Sequence, residues 1–262
     1  MNAMFTFMTC FLACVVGAIC GIGGGVIIKP VLDAAGMMDL ASINFLSGCT
    51  VLSMTAYSVG RSMLEGDSHL ELRISAPLAL GAAVGGILGK ILFQALRAQS
   101  TDPDIVGAVQ AFCLLLLTAA TLLYTVEKSK ICTHRMESRV ICLLVGFLLG
   151  LLSSFLGIGG GPINLVVLFY FFSMDTKTAA ENSLYIILFS QIASLLYSFA
   201  TGSVPPVSVS VLTLMVAGGI CGGICGRSVN RRMTARSVDR LFIALMVMMI
   251  ALNTNNLLKF MR

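Results

Sequence analysis

Apolar residues run along the chain in long blocks, at about 1–20, 26–38, 41–60, 74–96, 105–126, 140–156, 162–174, 178–200, 207–226 and 237–258. Transmembrane strands alternate apolar and polar positions over about ten residues. These blocks are continuous, so they predict helices. Several reach the roughly 20 residues that a helix needs to cross a bilayer. Two of the gaps carry the same pentapeptide: Gly21-Ile22-Gly23-Gly24-Gly25 recurs as Gly157-Ile158-Gly159-Gly160-Gly161, a shift of 136 positions. The same shift matches Met38-Asp39 with Met174-Asp175, Ser47 with Ser183 and Gly66 with Gly202. With one inserted residue, Gly81, Gly85, Gly89 and Lys90 match Gly218, Gly222, Gly226 and Arg227. The order is kept throughout, which points to a duplication.

The expected architecture is an all-α polytopic membrane protein with two homologous repeats. The first repeat covers 1–126, with a glycine-broken helix at 1–38 and spans at 41–60, 74–96 and 105–126. A polar linker at 127–139 joins it to the second repeat, 140–262, with a broken helix at 140–174 and spans at 178–200, 207–226 and 237–258. Three consecutive glycines in a helix cost about 1 kcal/mol each relative to alanine. They also free backbone groups, which is tolerated at membrane depth only inside protein or beside a water-lined cavity. The broken segments are therefore expected inside the bundle.

The basic residues test whether the broken segments cross the membrane or turn back. Crossing divides the loop and helix-end Lys and Arg residues eight against eight, which gives no orientation. Turning back as a re-entrant hairpin makes the repeats inverted and divides them twelve against four. Only Lys90, Arg97, Lys259 and Arg262 then lie on the side away from the linker. The second arrangement obeys the positive-inside rule. It predicts six full spans, two hairpins, a cytoplasmic linker and both termini outside.

Composition narrows the function. Hydrophobic residues make up 57% of the 262 positions and charged residues 11%, too few charges for the polar skin of a soluble enzyme. The net charge of +5 sits at the ends of apolar blocks, where membrane anchors sit, and no basic stretch is interleaved with aromatics, so nucleic acid is not an expected partner. Of nine cysteines, eight lie inside apolar blocks and read as small hydrophobes rather than a disulfide framework. His69 and His134 have no neighbouring ligands in sequence, so no metal or other cofactor is expected. The first block has no preceding Lys or Arg and no small-residue cleavage site, and reads as a retained span.

The candidate chemistry lies at the glycine breaks. Each is followed by an apolar helix start, and Pro162 suits a first helical position because its missing N–H has no partner there. A helix start offers free N–H donors and about half a positive charge. Secondary transporters with broken helices place such ends against anionic groups near the membrane midplane. The candidate anion-binding residues are Gly23, Gly24, Gly25, Gly159, Gly160 and Gly161, together with Ser47, Asn182, Ser183 and Gln191 on semi-polar helix stripes. Lys29 and Asn164, just after each break, join them. The same glycines also permit tight turns and close packing, and such polar stripes also serve inter-helix hydrogen bonds. Glu181 is a candidate proton carrier, with an interfacial ion pair to Lys177 as its other reading.

The duplicated Gly-x-Gly-Gly-Gly after an apolar helix resembles the TauE/SafE family of sulfite exporters and membrane transporters. So do Ser47 and Ser183 opening the next spans, and the Gly-x3-Gly-x3-Gly helices. The family's Gly-Thr-Ser stretch is represented here by Phe45-Leu46-Ser47 and Glu181-Asn182-Ser183, so only the serine is kept. The resemblance covers essentially the whole chain. It implies a carrier in the bacterial cytoplasmic membrane, not an enzyme, that handles small inorganic or organosulfur anions. Its expected partners are that anion and the lipid bilayer, with a homodimer as a candidate assembly. The rival readings are a membrane sulfur-handling enzyme or relay using Cys20, a non-transporting scaffold, and an anion channel of the same fold.

Overall fold

Among the described residues the apolar blocks fold as ten α-helices: α1 (Ala3–Cys20), α2 (Gly25–Ala35), α3 (Leu40–Glu65), α4 (Leu72–Gln99), α5 (Pro103–Glu127), α6 (Arg139–Leu156), α7 (Pro162–Phe172), α8 (Thr176–Ala200), α9 (Val209–Arg232) and α10 (Ala235–Phe260). This is a computed structural model, and it describes residues 3–36, 38–65, 69–99, 103–136, 138–158 and 160–260. Gly159 lies outside them. No strand occurs among the described residues. Eight helices, all but α2 and α7, are long and apolar enough to cross a membrane. The two short helices have 11 residues each, about 16 Å of rise.

The polar arrangement inverts that of a soluble domain. Leu80, Val84, Leu116, Leu123, Leu144, Leu148, Leu196 and Val247 are exposed, while Ser47, Thr50, Thr55, Ser75, Gln110, Asn182, Ser183 and Ser198 are buried at 0–2% exposure. An apolar rim gains from lipid contact. Buried hydroxyls and amides tie helices to each other, where packing alone supplies no hydrophobic drive. Thr50, Thr55, Thr118 and Thr125 instead bond back to carbonyls of their own helix one turn earlier.

Glycine contacts reveal the direction of the helices. Gly218, Gly222 and Gly226 of α9 lie against Phe7–Phe11, Phe11–Val15 and Val15–Ala18 of α1 in turn, so these two helices run parallel. Gly81, Gly85 and Gly89 of α4 meet Leu143–Phe147, Phe147–Leu151 and Leu151–Phe155 of α6 in the same way. The ends are marked by polar contacts. At the linker end, Thr176 bonds Asp239 at 3.0 Å, Lys128 pairs with Asp239 at 2.7 Å, and Asn230 Nδ2 donates to the Ile19 carbonyl. At the opposite, terminal end, Lys259 donates to the Ala34 carbonyl and Gln94 to the Ser203 hydroxyl. α1 therefore ends near the linker end while α2 finishes at the terminal end, so the chain doubles back at the first glycine break. At the second break, α6 closes beside α3, and α7 returns to the linker, where the His134 and Met136 amides donate to the Tyr170 and Phe171 carbonyls.

The Met-Asp pairs acquire a local meaning. Asp175 caps α8, accepting from the Lys177 and Thr178 amides at 2.9 and 3.2 Å. Asp39 does the same for α3 through Ala41 and Ser42. At Asp175, partial burial disfavours the charged form, but the Thr178 hydroxyl and the two amides outweigh it and hold the carboxyl below its usual range.

Candidate functional site

The site is built around the two glycine turns, and the fold brings them into contact. Gly21 and Gly157 both adopt left-handed backbone, with φ of 74° and 67°, which lets each preceding helix stop abruptly. Gly21 packs against Ala180, one turn into α8, and Gly157 packs against Asn44, one turn into α3. Gly25, which opens α2, lies against the backbone carbonyl of Ile158 in the other turn, with Ser47 Oγ about 3.0 Å from where a β-carbon would sit. Gly160 lies against Ile187, and Gly23 faces Val51 and Ile187 at ordinary contact distances. α7 begins at Pro162 as expected, after an extended Gly161.

Close packing accounts for several of these glycines. A β-carbon on Gly24 would sit 2.6 Å from the Cys14 sulfur, and one on Gly17 would sit 2.6 Å from the Gly23 backbone. The first helix thus carries its returning partner backbone to backbone.

The polar residues around the turns divide into engaged and unengaged groups. Lys29 is 2% exposed. Its ammonium donates to Asn44 Oδ1 at 3.0 Å, to the Leu156 carbonyl at 2.9 Å and to Gln110 Oε1. Gln110 in turn donates to the Phe155 carbonyl. Lys29 therefore reaches from α2 across to the last carbonyls of α6, where a helix end is partly negative. Asn182 is also engaged. It accepts from the Glu71 amide and the Ser75 hydroxyl and donates to the His69 and Thr178 carbonyls, fixing the α3–α4 connection. Glu181 accepts from the Ser62 hydroxyl and the His69 amide. Lys177 is not its partner in any hydrogen bond or ion pair of the described residues.

Ser47 and Ser183 behave differently. Each is completely buried, and neither hydroxyl has a hydrogen-bond partner among the described residues. The hydroxyls of Ser153, Ser154 and Ser190, Asn164 Oδ1 and Asn44 Nδ2 are likewise buried and unpartnered. Ser190 and Ser154 meet over Gly86 of α4. Gln191 is 4% exposed, with its Oε1 against Gly48. A bare buried hydroxyl costs about 1–3 kcal/mol, which makes these groups the candidate site. No group of three or more His, Cys, Asp or Glu side chains is placed to hold a metal among the described residues. Cys20 is 1% exposed within the apolar core.

Gln110 and Ser154 were not among the expected site residues. Gln110 had a signal, a lone amide within the apolar block 105–126. Ser154 had none, because only the fold sets it beside Ser190.

No curated protein and no solved structure matches the chain. The profile of the family described as sulfite exporter TauE/SafE matches residues 6–253, which takes in both glycine turns, all the unpartnered side chains around them and nearly the whole helical bundle. A multi-pass helical protein with two glycine-broken segments meeting in its interior, matched over that length, belongs to the sulfite exporter TauE/SafE family of membrane transporters.

Proposed function

We propose that the protein exports a small sulfur oxyanion or organosulfonate, a sulfite-like species, by alternating access of two inverted repeats. The observation that carries this reading is the meeting of the two glycine turns beside the buried, unpartnered hydroxyl of Ser47, with Ser183, equally buried and unpartnered, three residues after the Ala180 that packs on Gly21. These donors, with the first amides of α2 and α7, match the needs of an oxyanion that has shed its water. Asn164, Ser190 and Gln191 extend the polar lining, while Lys29 holds the turns together from behind.

Inversion is supported by contacts that repeat at the same shift as the sequence. Gly21 on Ala180 corresponds to Gly157 on Asn44, and Gly81 on Leu143–Phe147 corresponds to Gly218 on Phe7–Phe11. The twelve basic residues grouped on the linker side favour a cytoplasmic linker end. Embedded carboxylates are few, and the one weighed as a proton carrier, Glu181, is held by Ser62 and His69. An anion leaving a cell that is negative inside by about 100 mV gains about 2.3 kcal/mol per charge, so export needs no coupling ion.

The test is flux of sulfite from proteoliposomes. Ser47→Ala with Ser183→Ala is expected to cut flux at least about tenfold, the loss of two hydrogen bonds to a charged ligand, while the thermal midpoint stays within a few degrees. Wild-type flux in the double variant sinks the proposed site. Linear, non-saturating flux without counter-exchange sinks alternating access and favours a channel.

A further inference from the structure

Two further cations, Lys90 and Arg97, stand near the terminal end of α4. At the terminal end, Lys90, Gln94, Arg97, Ser203 and Ala41 line a cavity of about 380 Å³ with Phe93 and Pro205. Two cations face it, and among the described residues no carboxylate does. Lys90 is only 9% exposed, and it makes no hydrogen bond or ion pair among the described residues. Arg97 at the rim pairs with Asp39 at 3.4 Å, with both side chains about half exposed. An ammonium nine-tenths buried in a membrane helix is costly unless something answers its charge.

The opposite end shows what answers it. Lys90 corresponds to Arg227, and Gln94 to Arg231 at the same shift. There a small cavity of about 30 Å³ is lined by Arg227, Arg231, Asn230 and Ser58 together with the Glu181 carboxylate, and Glu65 lies beside it on the two arginines. Glu65 pairs with Arg227 at 3.2 Å and Arg231 at 2.9 Å, and Arg227 also donates to the Ser58 carbonyl. The position matching the empty ammonium is thus a cation with an oxyanion, a carboxylate, already bound to it.

We propose that the Lys90 cavity is a docking site for a small oxyanion or sulfonate at the terminal mouth, and that the Glu65 carboxylate fills the matching site at the linker mouth. The volume of the first admits such an anion with some of its water. The second, at about 30 Å³, has room for little more than a water molecule. Lys90 supplies charge, and Gln94 and Ser203 supply amide and hydroxyl groups at one wall. An anion at the linker mouth must displace Glu65 from Arg227 and Arg231 first, so the two mouths differ in what holds them rather than in their design. This inference rests on the anion-transport reading, because it names the entry and exit positions of the same substrate.

The test is calorimetric titration of the detergent-purified full chain with sulfite and thiosulfate, with chloride as control. Lys90→Gln is expected to weaken binding about tenfold, the loss of one charge-assisted contact, and Lys90→Arg to retain wild-type affinity. Lys90→Met is the second neutral variant in case one of them unfolds. Glu65→Gln is expected to raise the number of anions bound per protein. Unchanged affinity in a folded Lys90→Gln or Lys90→Met protein overturns the docking site, while the transport reading stands if Ser47→Ala with Ser183→Ala still cuts flux at least about tenfold. Unchanged stoichiometry in Glu65→Gln overturns the role of Glu65. A wild type that neither binds nor moves any of the probes overturns both the docking site and the transport reading.

Discussion

Lys29 illustrates how a residue changes meaning with its neighbours. By position it is a cation beside a glycine break, a natural anion ligand. In the fold its three donors meet Asn44, Gln110 and the Leu156 carbonyl. Those bonds join α2 to the end of α6, and so one glycine turn to the other. Lys29→Met keeps the stem but strands these acceptors. It is expected to destabilise the protein by about 1–3 kcal/mol, the cost of unsatisfied buried polar groups, read as a lower thermal midpoint in detergent. An unchanged midpoint with lost flux would instead return Lys29 to the anion path. Ser47 and Ser183 present the opposite case. Truncation to alanine removes no hydrogen bond from either among the described residues.

At the scale of elements, the glycine-rich helices act as rails. On α4, Gly85 lies against the Phe147 carbonyl, and a β-carbon there would sit 2.9 Å from the Leu151 amide nitrogen. Backbone cannot step aside as a flexible side chain can. Gly85→Ala is therefore expected to cost about 1–3 kcal/mol through overpacking. Gly60 on α3 has no atom within 4 Å of that position. Gly60→Ala is expected to be neutral or to stabilise by up to about 1 kcal/mol through helix propensity. Thermal unfolding of the two variants in parallel checks the contrast, and equal effects would show that α4 and α6 are not held this closely. The short helices α2 and α7 gain their places by packing, since 11 residues make a marginal helix alone: the turn before α2 lies on Gly17 of α1, and α7 lies against α5 and α8.

For the whole molecule, the question is what drives the anion. If the protein carries a monovalent anion without a coupling ion, an imposed potential of about 100 mV should shift the equilibrium distribution by about 2.3 kcal/mol, close to fiftyfold. Sulfite accumulation in proteoliposomes under potassium-diffusion potentials of both signs measures this. Indifference to potential would mean a neutral or compensated cycle. Directions of the helices matter here. Both the amino-terminal start of α1 and the end of α10 reach one end, and the basic linker segment with Lys128 and Lys130 lies at the other. The net charge of the loops is therefore distributed unevenly along the axis that the anion would travel.

Much of this architecture was legible in the chain itself. Block length and the continuity of the apolar runs determined ten helices in the observed order, because lipid leaves a backbone few alternatives to hydrogen bonds within one segment. The breaks at Gly21 and Gly157 were equally plain, since no other residue tolerates that local backbone as cheaply. The glycine series at positions 81–89 and 218–226 announced close contacts but not their partners. Which helices met there, α6 and α1, was decided by tertiary packing, as was the burial of Ser47 and Ser183 without partners. The engagement of Lys29, the meeting of Ser154 and Ser190 over Gly86, and the contrast between a Lys90 without a partner among the described residues and an Arg227 held by Glu65 belong to the same class. Each depends on residues tens to more than a hundred positions apart. Periodicity and local propensity report what a segment does with itself, whereas a buried polar group is satisfied or left bare only by what the rest of the chain brings to it.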